Sequence, residues 1–161
     1  MQNYGAVETV KRLDFLIGKT FERIIKVDSD DSDDYSDELR FVMKNGDYYA
    51  FFHEQDCCEL VEIADICGTL ADLAGSPITL AEEYVHENIT TAVDEVEDIS
   101  KTYTFYKFGT VKGYVTVRWC GESNGYYSEK VNYKAFIDGK KIDWYYDHRN
   151  KTSHFNTSTI S

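Results

Sequence analysis

A chain of 161 residues and 18.6 kDa, 42% hydrophobic, has the length and apolar content for one domain with a real core, which excludes a disordered chain. A formal net charge of −12 and a pI near 4.7 repel nucleic-acid backbones and anionic membranes over most of the surface, so direct nucleic-acid binding is not expected and any phosphate site must be local. Cys57, Cys58, Cys67 and Cys120, with no apolar signal region ahead of them and no membrane-length apolar run, point to free thiols in a soluble intracellular protein.

Val7, Val10, Leu13, Leu16 and Ile17 are spaced like one face of a helix and Gly18 is a natural stop, which predicts a short N-terminal helix. Thr20 to Val27 reads as a strand. Seven acids between Asp28 and Glu38, interleaved with serines, leave too few apolar groups to offset ordering entropy and predict an acidic loop. Calcium does not fit its pattern: an EF-hand counted from Asp28 needs Gly sixth and Glu twelfth, where this chain has Asp33 and Leu39. Leu39, Phe41 and Met43 alternate before the turn pair Asn45-Gly46, and Tyr48 to His53 continues as the partner strand.

Cys57 to Ile66 reads as a strand leading into a short helix through Leu70 and Leu73, ended by Gly75-Ser76-Pro77. Ile78 to Val85 is a further strand, and Glu87 to Ser100 an acidic excursion. Thr102 to Phe108 and Val111 to Trp119 alternate around a turn at Gly109 to Gly113; Tyr126 to Ile137 and Ile142 to Tyr146 flank Asp138-Gly139. The expected fold is a single α+β domain over 1–149, mainly an antiparallel sheet built from hairpins, with a short N-terminal helix, a short helix before Pro77 and a flexible polar tail over 150–161.

The segments Phe52-His53-Glu54-Gln55-Asp56-Cys57-Cys58-Glu59, Asp65 to Leu73, Gly75 to Ile78, Phe105 to Phe108 and Arg118 to Glu129 together resemble a family of small, uncharacterised phage and prophage proteins with HEQDCCE-like and RWxGESNGYYSE-like motifs. The resemblance runs from about Leu13 to Tyr133; the Asp-rich loop after Val27 and the extension beyond Phe136 depart from it. It implies a phage accessory protein of the host-cell cytoplasm, in a class where counter-defence roles are common, and it brings no catalytic residue with it.

The densest polar cluster is the second of those motifs. Arg118, Ser123, Asn124, Tyr126, Tyr127 and Ser128, joined with His53 and Gln55 of the first, offer a forked cation for phosphate, amides for base edges and rings for stacking, which is the chemistry of a nucleotide pocket. Asn124-Gly125 is also an ordinary turn pair and Tyr an ordinary strand residue, so the same residues read equally as a plain hairpin. Arg118, between Val117 and Trp119, points away from the core face of its strand, toward solvent or a cleft; a merely structural arginine there would pair with Glu122 or Glu129.

Zinc on His53, Cys57, Cys58 and Cys67 is disfavoured because adjacent cysteines in a strand point to opposite faces. A thiol–His53 dyad lacks any marked orienting group, and Glu54, Asp56 and Glu59 read as a solvated rim. No metal, cofactor or catalytic residue is assigned.

These readings favour a non-enzymatic phage protein that counters host immunity by sequestering a small nucleotide-derived signal. The alternative is an acidic, DNA-mimic-like inhibitor of a host defence protein such as a CRISPR nuclease, acting through Asp30, Asp31, Asp33 and Asp34. A structural or morphogenetic phage component is the third reading. With 13 Tyr, 9 Phe and 2 Trp the chain also has the rings for a homo-oligomer interface.

Overall fold

A computed structural model of the chain describes residues 8–32, 35–90, 99–147 and 152–155. Those residues form eleven strands: β1 (Glu8–Arg12), β2 (Arg23–Val27), β3 (Glu38–Val42), β4 (Tyr48–Phe52), β5 (Leu60–Cys67), β6 (Leu80–Thr90), β7 (Ser100–Thr110), β8 (Gly113–Ser123), β9 (Asn132–Ile137), β10 (Lys140–Asp147) and β11 (Thr152–Phe155). They make two antiparallel sheets, β1-β6-β7-β8-β5 and β11-β10-β9-β4-β3-β2. Alternation on the inner faces buries Leu39, Phe41, Phe51 and Tyr133 from the six-stranded sheet against Ile63, Tyr106, Phe108, Val115, Val117 and Trp119 from the five-stranded one. Rings meet across the gap, Phe41 on Phe108 at 4.9 Å and Phe51 on Tyr106 at 4.7 Å, which makes the molecule a β-sandwich. Each such ring contributes about 1.5–3 kcal/mol of hydrophobic stabilisation.

The α+β expectation is therefore wrong: the described residues hold no α-helix, only 3-10 turns at Ser29–Asp31 and Leu70–Leu73. The helical spacing at the N-terminus has a different origin. Residues Glu8–Arg12 pair with β6, and the chain then turns once, with the Leu16 and Ile17 amides donating to the carbonyls of Leu13 and Asp14. That single turn drops Leu13 and Leu16 into the core, while Val10, the would-be helical partner, is 55% exposed on β1. The stretch before Pro77 is likewise one turn that buries Leu73, too short to propagate as a helix.

Other boundaries also move. Residues 87–90 continue β6 rather than opening an excursion, paired with a β7 that begins at Ser100. Within the polar tail, Thr152–Phe155 pairs with β10. The Asp138-Gly139 turn forms as expected, with both residues at positive φ (54° and 76°), as a two-residue hairpin between right-twisted strands requires.

Buried polar groups tie strands together. Glu38, 0% exposed, accepts from Lys134 Nζ (2.9 Å), Arg40 Nε (2.7 Å) and Ser32 Oγ (2.8 Å). Burial pushes its carboxyl up, but these donors outweigh that and hold it below the usual carboxylate range. Between the sheets Glu83 accepts from the Tyr106 hydroxyl (2.6 Å) and from that of Tyr133. Burial, then the Glu83 charge, keeps both phenols well above their ordinary range.

Three connections cross from one sheet to the other, residues 13–22 from β1 to β2 and two crossing loops that the register puts side by side. Residues 53–59 carry the chain from β4 to β5, and residues 124–131 from β8 to β9. Phe52 pairs with Asn132, and Leu60 with Glu122, so both crossings leave the same end of the sandwich. The β2–β3 turn, with the acidic residues, shares that end: Ser36 Oγ accepts from the His53 amide and Asp37 from the Ile63 amide.

Candidate functional site

The first crossing loop hangs on one carboxylate. Glu59 is 4% exposed; its Oε2 lies 2.8 Å from His53 Nε2 and accepts from the Asp56 amide at 2.9 Å, while Oε1 accepts from the Cys57 amide at 2.9 Å and Gln55 Nε2 at 3.2 Å. Burial raises the pKa of such a group, yet the Cys57, His53 and Asp56 donors together outweigh it and bring Glu59 down to about 2. The other ring nitrogen of His53 sits 2.8 Å from the Lys130 carbonyl, which can only accept. Both ring nitrogens thus face oxygens, Glu59 on one side and the Lys130 carbonyl on the other, and the imidazole bridges the two crossing loops.

The second loop hangs on another. Glu129 is buried and accepts from Thr102 Oγ1 at 2.8 Å and from the Ser123 hydroxyl. Ser123 Oγ in turn accepts from the Gly125 amide (2.9 Å), and Asn124 Oδ1 from the Tyr126 amide (3.0 Å), so the turn is held by its own side chains. Gly121 permits this fold-back, because a Cβ there would lie 2.6 Å from the Glu129 carbonyl oxygen. Tyr126 is left at the tip, 82% exposed, its ring 4.9 Å from that of Tyr127 and nearly perpendicular to it.

Between the two loops lies a cleft of about 270 Å³ lined by Cys58, Glu59, Leu60, Ile99, Glu122, Ser123, Asn124 and Tyr127. Leu60 and Ile99 are 53% and 39% exposed and form its apolar side. Glu122 Oε1 pairs with Lys101 Nζ at 3.1 Å. No cationic side chain is among the lining residues. The acidic turn stands at the same end with Asp28, Asp30 and Asp31 exposed, pinned by Asp37 on the Ser29 amide (3.1 Å) and by Ser32 on Glu38. Asp33 and Asp34 lie outside the described residues.

The structure brings Ser123, Asn124 and Tyr127 to the cleft, with Tyr126 beside it. Ser128 is exposed and accepts from the Lys130 amide; Gln55 is exposed and braces Glu59; His53 is 1% exposed behind Glu59. Arg118 lies elsewhere. It points off the outer face of the five-stranded sheet, five residues or about 16 Å of strand before Ser123. There it donates to Asp65 at 2.7 Å, not to Glu122 or Glu129, with its guanidinium 5.8 Å from the Tyr103 ring; its Nε is buried without a partner.

Two further readings change. Glu59 is a buried anchor and not a solvated rim, which is formed by the exposed Glu54 and Asp56. Cys57 and Cys58 are joined as a vicinal disulfide, whereas Cys67 and Cys120 are free thiols. Residues 57–58 form a bend, so the strand alternation that would separate their side chains does not apply. Among the described residues no group of three or more His, Cys, Asp or Glu is arranged to hold a metal, and no helix is long and apolar enough to cross a membrane.

Sequence reasoning missed the site roles of Glu59, Glu129, Leu60, Ile99, Glu122 and Cys58. A signal for the two anchors was present: each crossing loop closes on a glutamate, in HEQDCCE and in SNGYYSE. Residues 14–133 match the model of a Domain of unknown function (DUF7448), and the chain belongs to that family. The matched span nearly coincides with the 13–133 stretch of the phage resemblance, although the family's description carries no phage origin. No curated protein and no solved structure matches the chain.

Proposed function

We propose that the protein is a non-enzymatic phage accessory protein that counters host immunity by binding a basic host defence protein through the loop end of its sandwich. The observation that carries this reading is the convergence there of two crossing loops, each held rigid by a buried glutamate, and of a pinned acidic turn. Tyr126 on a rigid loop, with Leu60 at the start of β5 and Ile99 just before β7, has the anatomy of an interface core, with exposed apolar anchors beside polar groups. Exposed Asp28, Asp30, Asp31, Glu54 and Asp56 at the same end supply the charge that a DNA-binding effector is built to meet. The phage assignment itself rests on the sequence resemblance.

Sequestration of a nucleotide signal is less well supported. A phosphate needs a cation or a cluster of amide donors; Arg118 is engaged by Asp65 on another face, and no cation lines the cleft. A thiol–histidine reaction also lacks its base, since His53 is buried with both ring nitrogens occupied.

The test is capture from a lysate of the host bacterium, with retained proteins identified by mass spectrometry, beside calorimetry against cyclic nucleotides and ADP-ribose derivatives. The expected result is one retained basic protein, lost on Tyr126→Ala and weakened by Asp30→Asn with Asp31→Asn and by added salt. Heat from a nucleotide that disappears on Arg118→Ala would replace this reading with sequestration.

A further inference from the structure

We infer that the cleft between the two crossing loops takes a basic side chain, arginine above lysine, presented by the partner protein. This rests on the recognition reading above and names what is recognised. The charge argument comes from three glutamates. Glu59 lines the cleft, but both its oxygens are taken by donors of its own loop. Glu122 gives one oxygen to Lys101 and has no partner on the other among the described residues. Glu129, directly behind Ser123, has two hydroxyl partners and no cation among the described residues. The result is a concave site that is negative on its Glu122–Asn124 side and carries no positive group in its lining.

The rest of the lining fits the remainder of such a side chain. Leu60 and Ile99 offer an apolar wall for the methylene stem, and Tyr127 an aromatic one. A guanidinium is planar and more weakly hydrated than an ammonium, so it gains more from an aromatic wall and a free carboxylate oxygen. A cleft of about 270 Å³ holds one such side chain and is small for a dinucleotide.

The experiment is amide-resolved NMR of the full chain titrated with N-acetyl-arginine amide, with the isosteric but neutral N-acetyl-citrulline amide, and with AMP. The arginine derivative is expected to shift the amides of Cys58–Leu60 and Glu122–Tyr127 in the millimolar range normal for one side chain. Citrulline is expected to bind about tenfold more weakly, as loss of one charged contact implies. Glu122→Gln should weaken arginine several-fold, and Lys101→Met, which removes the competing cation, should tighten it. The opposite sign for Lys101→Met, equal binding of citrulline, or shifts with AMP alone would overturn the inference. If these titrations fail while Tyr126→Ala still abolishes partner capture, the basic side chain is wrong and the recognition reading stands. Capture that survives Tyr126→Ala removes the recognition reading whatever the titration shows.

Discussion

Replacing Glu59 by glutamine tests whether one carboxylate organises the first crossing loop. In the native chain its two oxygens receive four donors, from His53, Asp56, Cys57 and Gln55. Glutamine keeps one acceptor and puts an NH2 where the other stood, facing donors that then have nothing to donate to. A buried donor left without its acceptor costs about 1–3 kcal/mol, and two are affected. Some relaxation of the exposed 54–58 backbone offsets part of that, leaving about 3 kcal/mol, or roughly 6–12 °C in Tm for a chain of this size. Urea denaturation followed by tryptophan fluorescence measures it, with Glu54→Gln on the exposed side of the same loop as a control expected within about 0.5 kcal/mol of wild type. The pH dependence carries a second signature. Folding lowers the Glu59 pKa from 4.5 to about 2, so its stabilising contribution is complete above about pH 4.5 and is lost as pH falls toward 2. The gap between wild type and Glu59→Gln should narrow across that window. A variant as stable as wild type at pH 7, or a gap that does not change between pH 4.5 and 2, would refute the anchor role.

Gly121→Ala should lower stability by about 2 kcal/mol, because its Cβ would sit 2.6 Å from a backbone oxygen that cannot step aside; a urea midpoint unchanged from wild type would contradict the fold-back of Glu129. Lys134→Met leaves the fully buried Glu38 with Arg40 as its one remaining cation among the described residues and should cost about 3 kcal/mol, with part recovered in the double variant that adds Glu38→Gln; a double variant less stable than the single would contradict this. Arg118→Ala should change stability by about 0–1 kcal/mol, since the Asp65 pair is solvent-exposed, and should leave partner capture intact.

Much of the sheet was legible in the sequence because period-two alternation is a local signal. Val115, Val117 and Trp119 do face the core, and Asp138-Gly139 does make the turn its chemistry demands. The N-terminal helix failed because one turn and one turn of a helix share the same i, i+3 spacing; only the pairing of β1 with β6, some seventy residues away, decides between them. The candidate site was half legible for a related reason. Composition marked both crossing loops, but the register of β4 on β9 and β5 on β8 determines that they meet, and no local pattern encodes it. Arg118 drew attention as the only cation in its motif, while its partner Asp65 lies on a neighbouring strand. Glu59 and Glu129 passed as surface acids because a carboxylate that accepts backbone amides looks, in sequence, like any other.

The central claim is that the protein works through its loop end. The most direct measurement is quantitative capture of the host protein by four versions of the chain: wild type, Tyr126→Ala, Glu122→Gln and Arg118→Ala, each verified as folded by NMR. The account predicts capture undiminished by Arg118→Ala, reduced several-fold by Glu122→Gln and abolished by Tyr126→Ala. Capture lost in Arg118→Ala and retained in Tyr126→Ala would contradict it, and would place recognition on the outer face of the five-stranded sheet.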